Sequence, residues 1–256
     1  MKKIKYELET PGFEGVKFTE SSINNLVWPK AVKFAADQNA VLQSLREAVA
    51  FRIEAQGKDG ANREQATRTG AIYFKDGNKF YVAFDDIPDP RQNIVLARAI
   101  EGYEANKEAR EFILPKKDKQ IVQLLKRAEK SDRIVQVVES PLELATKASA
   151  SSSKFGSNKT VQAAVGDIAE LYAGMLHERD YSRGVVYVLT PDFLDKEVAD
   201  DETLVRPVKL GVDHSDGIEV VVIYFQVDIG AASLFTDSDG RARGVRRVPL
   251  EQLANQ

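Results

Sequence analysis

The spacing of apolar residues predicts that helices dominate the first two-thirds of the chain. After Trp28 and Pro29, apolar side chains recur three and four residues apart over 41–53, which predicts one long helical region. Two glycines in a later amphipathic pattern, Gly166 and Gly174, each cost about 1 kcal/mol of helix propensity relative to alanine. We therefore expect another backbone to approach that helix closely. Further helices are predicted at 91–112, 118–130, 161–176 and 192–199.

Alternating and β-branched residues predict strands that lie mostly after residue 180. Residues 2–9 form a predicted N-terminal strand, and 133–138 form a short one. The sequence IEVVVIYFQV at 218–227 is almost continuously apolar, as in a central strand covered on both faces. The other predicted strands of this β-rich region are separated by Asp/Gly turns and lie at 184–189, 203–212, 231–235 and 244–248.

The clearest local pattern is AIYFKDGNKFYVAF at 71–84. Its central Asp-Gly at 76–77 suits a type I′ turn, in which both central residues need positive φ. Alternate side chains of this hairpin point to opposite faces, and both faces are apolar. Such a hairpin must be covered on both sides or project into a partner. The predicted partner interface consists of its aromatic residues: Tyr73, Phe74, Phe80 and Tyr81.

Together these elements predict an α+β fold class. We expect a helix-rich first two-thirds with one β-hairpin, and a β-rich C-terminal third that forms a mixed or antiparallel sheet. The Ser-rich stretch 145–156 is the best candidate for a domain boundary. It would separate a helical region with N-terminal strand and hairpin (1–144) from an α/β region with the C-terminal sheet (157–256). A single domain is the alternative, because 256 residues lie between one large domain and two small ones.

Composition excludes several classes of function. The chain has no cysteine, which excludes disulfides, thiolate metal sites and cysteine nucleophiles. The net charge of −3 argues against a global basic surface for nucleic acid. The first lysines are not followed by the apolar stretch of a signal peptide, and the apolar run 220–225 is too short to cross a bilayer. We expect a cytoplasmic protein, or a virion protein if it derives from a phage, without a membrane partner.

The residue patterns that resemble catalytic motifs are better explained as turns and caps. His177 ends a predicted helix, and His214 lies in an Asp-His-Ser-Asp-Gly turn. Residues 236–240 resemble the start of a calcium loop, but Val248 stands where the loop needs glutamate. Gly156 lacks the spacing of a phosphate-binding loop. We therefore predict no catalytic residue, cofactor or metal site and lean against an enzyme, with an enzyme acting on small molecules as an open alternative.

A cluster of basic residues near the C-terminus is the most specific charged feature. It contains four arginines within seven residues, which could bind phosphates or an acidic protein surface. A charged edge strand that discourages aggregation is an equally weighted interpretation. The predicted nucleic-acid-binding or anion-binding residues are Arg241, Arg243, Arg246 and Arg247.

The order of elements over 157–198 resembles one stretch of tailed-phage capsid proteins. A helix leads there to a strand and then to a helix that starts at a TPDFL-like sequence, as at 190–194. The hairpin and long helix of 69–112 match elements upstream in those proteins. This resemblance implies a non-enzymatic structural or interaction subunit of an assembly, such as a phage or mobile-element protein, partnered by itself or by other subunits. A nucleic-acid-binding or processing protein that uses Arg241–Arg247 is the alternative.

Overall fold

The fold is described from a computed structural model. Helices and strands are interspersed along the chain. The structure describes residues 6–8, 10, 12–24, 26–55, 65–104, 112–138, 142–145, 152–178, 183–213, 220–224 and 241–247. The helices are α1 (Trp28–Ala36), α2 (Leu45–Ala55), α3 (Ile94–Glu104), α4 (Lys119–Lys130), α5 (Ser152–Ser157), α6 (Lys159–Val165), α7 (Ala169–Glu178) and α8 (Pro191–Glu197). The strands are β1 (Tyr6–Glu7), β2 (Val16–Ser21), β3 (Val41–Leu42), β4 (Gln65–Asp76), β5 (Lys79–Asp85), β6 (Phe112–Pro115), β7 (Ile134–Gln136), β8 (Leu142–Ala145), β9 (Arg183–Tyr187), β10 (Glu202–Asp213), β11 (Val220–Tyr224) and β12 (Arg243–Arg247).

The strands form a large sheet and a small one. The large sheet has eight strands in the order β7-β5-β4-β10-β11-β9-β8, and β6 also pairs with β10. Its pairings are antiparallel except that β11 runs parallel to β9. The small sheet has the order β1-β2-β12-β3. Within the described ranges, no helix is long and apolar enough to cross a membrane.

The prediction of a helix-rich first two-thirds and a separate C-terminal sheet is wrong. Both sheets combine strands from distant parts of the chain. In the large sheet β4 lies between β5 and β10, and in the small sheet β12 lies between β2 and β3. The error arose because each segment was judged by its local pattern, whereas sheet order depends on pairing between segments far apart. Of the predicted strands, 231–235 lies outside the described residues.

The predicted long helical region after Trp28 is also wrong, because it consists of two helices separated by a strand. Asn39 adopts the left-handed conformation, with φ of 51°, just after α1. Val41 and Leu42 then pair with Val245 and Gly244 of β12. Their apolar side chains fitted a helical stripe, but pairing with a strand from the other end of the chain determines their conformation.

The predicted hairpin is confirmed, and protein covers both of its faces. The predicted type I′ turn at Asp76 and Gly77 is wrong: Asp76 pairs with Lys79, so Gly77 and Asn78 form the loop, and only Gly77 of these has positive φ. Tyr73 lies opposite Val82, and Phe74 lies opposite Tyr81, on either side of a turn in which Gly77 has φ of 58°. Tyr73 and Val82 pack in one hydrophobic cluster together with α2 and α7. Phe74 and Tyr81 pack against a second cluster together with α1, α3 and α4. The large sheet is therefore a central layer between two cores.

Part of the Ser-rich stretch is an ordered helix that packs into the first core. Phe155 of α5 is fully buried, and its ring lies edge-on to Tyr172 of α7 with the ring centroids 6.0 Å apart. The rest of the proposed boundary, 146–151, lies outside the described residues. Strands from both predicted regions share the large sheet, as β4 and β10 illustrate. The division into two domains stays a prediction.

The expected close approach of a backbone occurs at Gly156, not at the two glycines that were predicted to allow it. A Cβ atom at Gly156 would lie 2.9 Å from the Cα atom of Glu170 on α7. Gly166 instead ends α6 with φ of 73° and has the Arg46 guanidinium against it. At Gly174 a Cβ atom would meet open space: apart from its chain neighbours and the backbone of its own helix, no described atom lies within 4 Å.

These environments predict opposite effects for the same substitution. Gly156→Ala should lower the free energy of unfolding by about 1–3 kcal/mol, because α5 must move away from α7. Gly174→Ala should raise it by about 0.5–1 kcal/mol, because alanine favours the helix and has room there. Urea denaturation followed by circular dichroism measures both values. Equal effects of the two substitutions would contradict the described packing of α5 on α7.

Candidate functional site

The four arginines predicted to bind anions do not lie on one common surface. Arg243 is 1% exposed, and its guanidinium carbon lies 3.9 Å from the centroid of the Phe51 ring. It donates a hydrogen bond to the Thr19 carbonyl at 3.2 Å, so its role is structural. Arg241 is partly exposed and forms a bridge with Gln65 at the start of β4.

Of the other two arginines, the structure describes the side chain of Arg246 but not that of Arg247. Arg246 is partly exposed and donates to the Gln38 carbonyl. Among the described residues it has no ion-pair partner. The backbone of Arg247 belongs to β12, and its side chain lies outside the described part of the chain. Nucleic-acid binding by Arg241, Arg246 and Arg247 stays a prediction, but Arg243 is too deeply buried to contact a phosphate.

The four predicted interface aromatics divide into two pairs. Tyr73 and Phe80 lie in the first core, and burial raises the pKa of the Tyr73 hydroxyl. Phe74 and Tyr81 lie on the other face, where their rings stack with centroids 5.7 Å apart. This second pair contributes to a surface groove of about 500 Å³. We call it the hairpin groove, and its lining includes Phe74, Tyr81, Lys116, Leu125, Lys126 and Glu129.

The hairpin groove has an apolar floor and charges of both signs on its walls. The Lys116 ammonium lies 5.5 Å from the centroid of the Phe74 ring and donates to the Lys75 carbonyl at 2.6 Å. Helix α4 forms the opposite wall. It is held on β5 by Arg127, whose Nη2 atom lies 3.1 Å from the Asp85 carboxylate. Burial raises the pKa of Asp85, while Arg127 favours its charged form.

The structure contains a cavity that the sequence analysis missed. It measures about 660 Å³ and lies between the end of α1, the start of α2 and β12. We call it the α1 cleft, and its lining includes Ala36, Asn39, Glu47, Arg68, Pro88 and Arg246. These residues come from four distant segments, so no local motif marks them.

An ion pair between Glu47 and Arg68 forms part of the wall of the α1 cleft. The two guanidinium Nη atoms lie 2.6 and 3.0 Å from the two carboxylate oxygens. Glu47 also accepts from the Ser44 backbone, while the Ser44 hydroxyl accepts from the Glu47 backbone. This reciprocal capping box begins α2 and is visible in the sequence as Ser-x-x-Glu. A carboxylate held this fully is a poor general base, so the pair supports the cleft structurally.

The other residues that the sequence analysis weighed as catalytic or metal-binding form no such centre among the described residues. The backbone of His177 belongs to α7, but its side chain is outside the described part, as are His214 and 236–240. Asn158 is the N-cap of α6, so the residues that follow Gly156 begin a helix and form no phosphate-binding loop. Among the described residues, no group of three His, Asp or Glu side chains could hold a metal ion.

Comparison with known proteins identifies the fold but no family. No family model and no curated protein matches the chain. A solved structure described as the accommodation of massive sequence variation in Nanoarchaeota by the C-type lectin fold is similar over 88% of this chain and 95% of its own. The TM-score is 0.51 and the sequence identity is 12%. The chain thus has a fold similar to the C-type lectin fold, which replaces the predicted arrangement of helices followed by a C-terminal sheet.

Proposed function

We propose that this chain is a non-catalytic interaction subunit that binds a second copy of itself through the hairpin groove. The observation that carries this proposal is the combination of stacked aromatic rings with a charged rim at one open groove. Protein interfaces commonly have an apolar centre surrounded by polar residues. The partly exposed Tyr81 and Leu125 form such a centre beside the buried Phe74 ring, and Lys126 and Glu129 belong to its rim.

The charges of the groove favour a second copy as the partner. Its lining includes Lys116 and Lys126 as well as Asp76 and Glu129. A twofold interface places the same surface on both partners, so a surface with both signs can pair with itself without net repulsion. A nucleic-acid partner would need a surface of one sign. The groove therefore fits a protein better than a polyanion.

The similarity to a C-type lectin fold supports a binding role. The similar solved structure concerns a fold that accommodates massive sequence variation. A scaffold that tolerates changes at its surface is suited to recognition, although the fold itself does not specify a ligand. The assembly that we propose for this chain is a multi-subunit structure, such as that of a phage or mobile element. Nucleic-acid binding is less favoured because the Arg243 side chain is buried, whereas that of Arg246 is partly exposed.

The proposal predicts a change in molar mass when the groove is blocked. Leu125 on α4 lines the groove and is partly exposed. Leu125→Asp should produce a monomer, because a charge in the apolar centre would lose its hydration when a second copy binds. The unchanged protein should have at least twice the monomer mass in size-exclusion chromatography with light scattering at tens of micromolar concentration.

A matched control is available on another surface. Leu171 of α7 is 47% exposed and lies outside the groove, so Leu171→Asp should leave the mass of the oligomer unchanged. Circular dichroism should show that both variants are folded. A monomeric unchanged protein, or a Leu125→Asp variant that still associates, would overturn the proposal.

A further inference from the structure

An apolar cavity lies beside the α1 cleft, between α1 and α3. It has a volume of about 320 Å³, and we call it the apolar slot. Its lining includes Pro29, Val32, Leu42, Pro90, Leu96 and Ile100. The slot and the α1 cleft share Ala36, Ala40 and Val41 as lining residues, so the two cavities adjoin each other there.

Arg246 is the cation of the α1 cleft that has no ion-pair partner among the described residues. Arg68 is already paired by both of its Nη atoms with Glu47, and Lys33 at the slot pairs with Asp37. The Arg246 guanidinium donates to the Gln38 carbonyl, and its buried Nε atom has no hydrogen-bond partner among the described residues.

We propose that the α1 cleft and the apolar slot form one binding site for a medium-chain fatty acid. The carboxylate binds the Arg246 guanidinium in the cleft, and the hydrocarbon chain lies in the slot. Charge-assisted hydrogen bonds to a guanidinium are among the stronger polar contacts in proteins. The lining of the slot is mainly aliphatic, which suits a hydrocarbon chain better than a sugar or a nucleobase.

The volume of the slot sets the length of the chain. A water molecule occupies about 30 Å³ in the liquid, and a methylene group is of similar size. A slot of about 320 Å³ therefore holds roughly ten such groups. This matches octanoate or decanoate and is too small for the whole chain of a membrane lipid. A free acid of this length is therefore the ligand that we propose.

The fluorescence of Trp28 gives a direct measurement of binding. It is the single tryptophan of the chain and is followed by Pro29, which lines the slot. Titration with hexanoate, octanoate and decanoate should show affinity rising about fourfold for each added methylene. Decanol, which has the same chain without the charge, should bind at least tenfold more weakly than decanoate. Isothermal calorimetry provides an independent value for each ligand.

Two substitutions separate the contacts to the carboxylate and to the chain. Arg246→Gln should weaken decanoate about tenfold or more and leave decanol unchanged, because glutamine can still donate to the Gln38 carbonyl but has no charge. Ile100→Asp should weaken both ligands, since Ile100 is 38% exposed at the slot and aspartate there disfavours hydrocarbon. The matched controls are Arg91→Gln and Ile113→Asp, at exposed positions outside both cavities, and they should bind like the unchanged protein.

Fatty-acid binding should be independent of self-association through the hairpin groove. Leu125→Asp should bind decanoate normally, because α4 contributes no lining residue to the slot or the α1 cleft. The absence of saturable binding by any of the three acids up to millimolar concentration would overturn the fatty-acid site. Equal affinity for decanoate and decanol, or no effect of Arg246→Gln on decanoate, would overturn it as well.

Discussion

Replacing Arg68 by methionine is expected to lower the free energy of unfolding by about 3–5 kcal/mol. The side chains of Arg68 and Glu47 are only 3% and 1% exposed. Methionine would leave the Glu47 carboxylate buried without its charged partner, although the Ser44 N–H would still donate to it. It would also remove the donors to the carbonyls of Asp86 and Leu42, at 2.8 and 2.6 Å. A whole domain is stabilised by about 5–15 kcal/mol, so this loss is large.

Two further variants test that the unpaired charge is the cause. Arg68→Met combined with Glu47→Gln should recover part of the lost stability, because the buried residue opposite methionine is then neutral. Arg91→Met removes an ion pair with Asp89 at a side chain that is 90% exposed, and it should cost less than about 1 kcal/mol. Urea denaturation followed by circular dichroism gives all three values. A loss below about 1 kcal/mol for Arg68→Met would mean that the pair does not hold the α1 cleft together.

Features that depend on neighbouring residues could be predicted from the sequence. The alternation of apolar residues placed the hairpin strands and their two faces correctly, although the turn lies one residue later than the predicted Asp-Gly pair. The caps of α6 and α8, Asn158 and Thr190, accept hydrogen bonds from backbone N–H groups, as these residue types commonly do at helix starts. These features were predictable because the residues that decide them lie within a few positions of one another.

Features that depend on distant pairing could not be predicted in this way. Val41 and Leu42 fit a helical stripe, but they pair with β12, about two hundred residues further along the chain. The arginines of β12 look like one basic cluster in the sequence. A register shift between Arg243 and Val245 and the packing of Phe51 place Arg243 in the interior, while Arg246 lies at the α1 cleft. One signal was available and not used: Ser44 and Glu47 form the capping box that begins α2.

The candidate sites show the same division. Phe74 and Tyr81 were predicted as partner residues, and they contribute to the hairpin groove because both come from one hairpin. The α1 cleft combines residues from α1, α2, β4 and β12, and its cavity exists only after both sheets have formed. The charge of Arg246 is visible in the sequence. The space beside it is not, because the small side chains at 36 and 40 leave that space only in the folded protein.

Replacing Trp28 by alanine should also lower the free energy of unfolding by about 3–5 kcal/mol. Trp28 is fully buried and belongs to the second core, where α1 packs against β4 and α3. Its indole Nε1 donates to the Thr67 carbonyl of β4 at 2.9 Å. Alanine would leave a large cavity and remove this buried hydrogen bond. Far-ultraviolet circular dichroism must be used for the denaturation curve, because the variant has no tryptophan left.

Phenylalanine at the same position separates the volume of the side chain from its hydrogen bond. Trp28→Phe fills most of the space but leaves the Thr67 carbonyl without this donor, so a loss of about 1–3 kcal/mol is expected. The two variants should therefore differ clearly, with alanine the more destabilising. If both lost less than about 1 kcal/mol, α1 would not be anchored on the large sheet through Trp28. The α1 cleft and the apolar slot, which both use α1 as a wall, would then lack the rigid support that ligand binding requires.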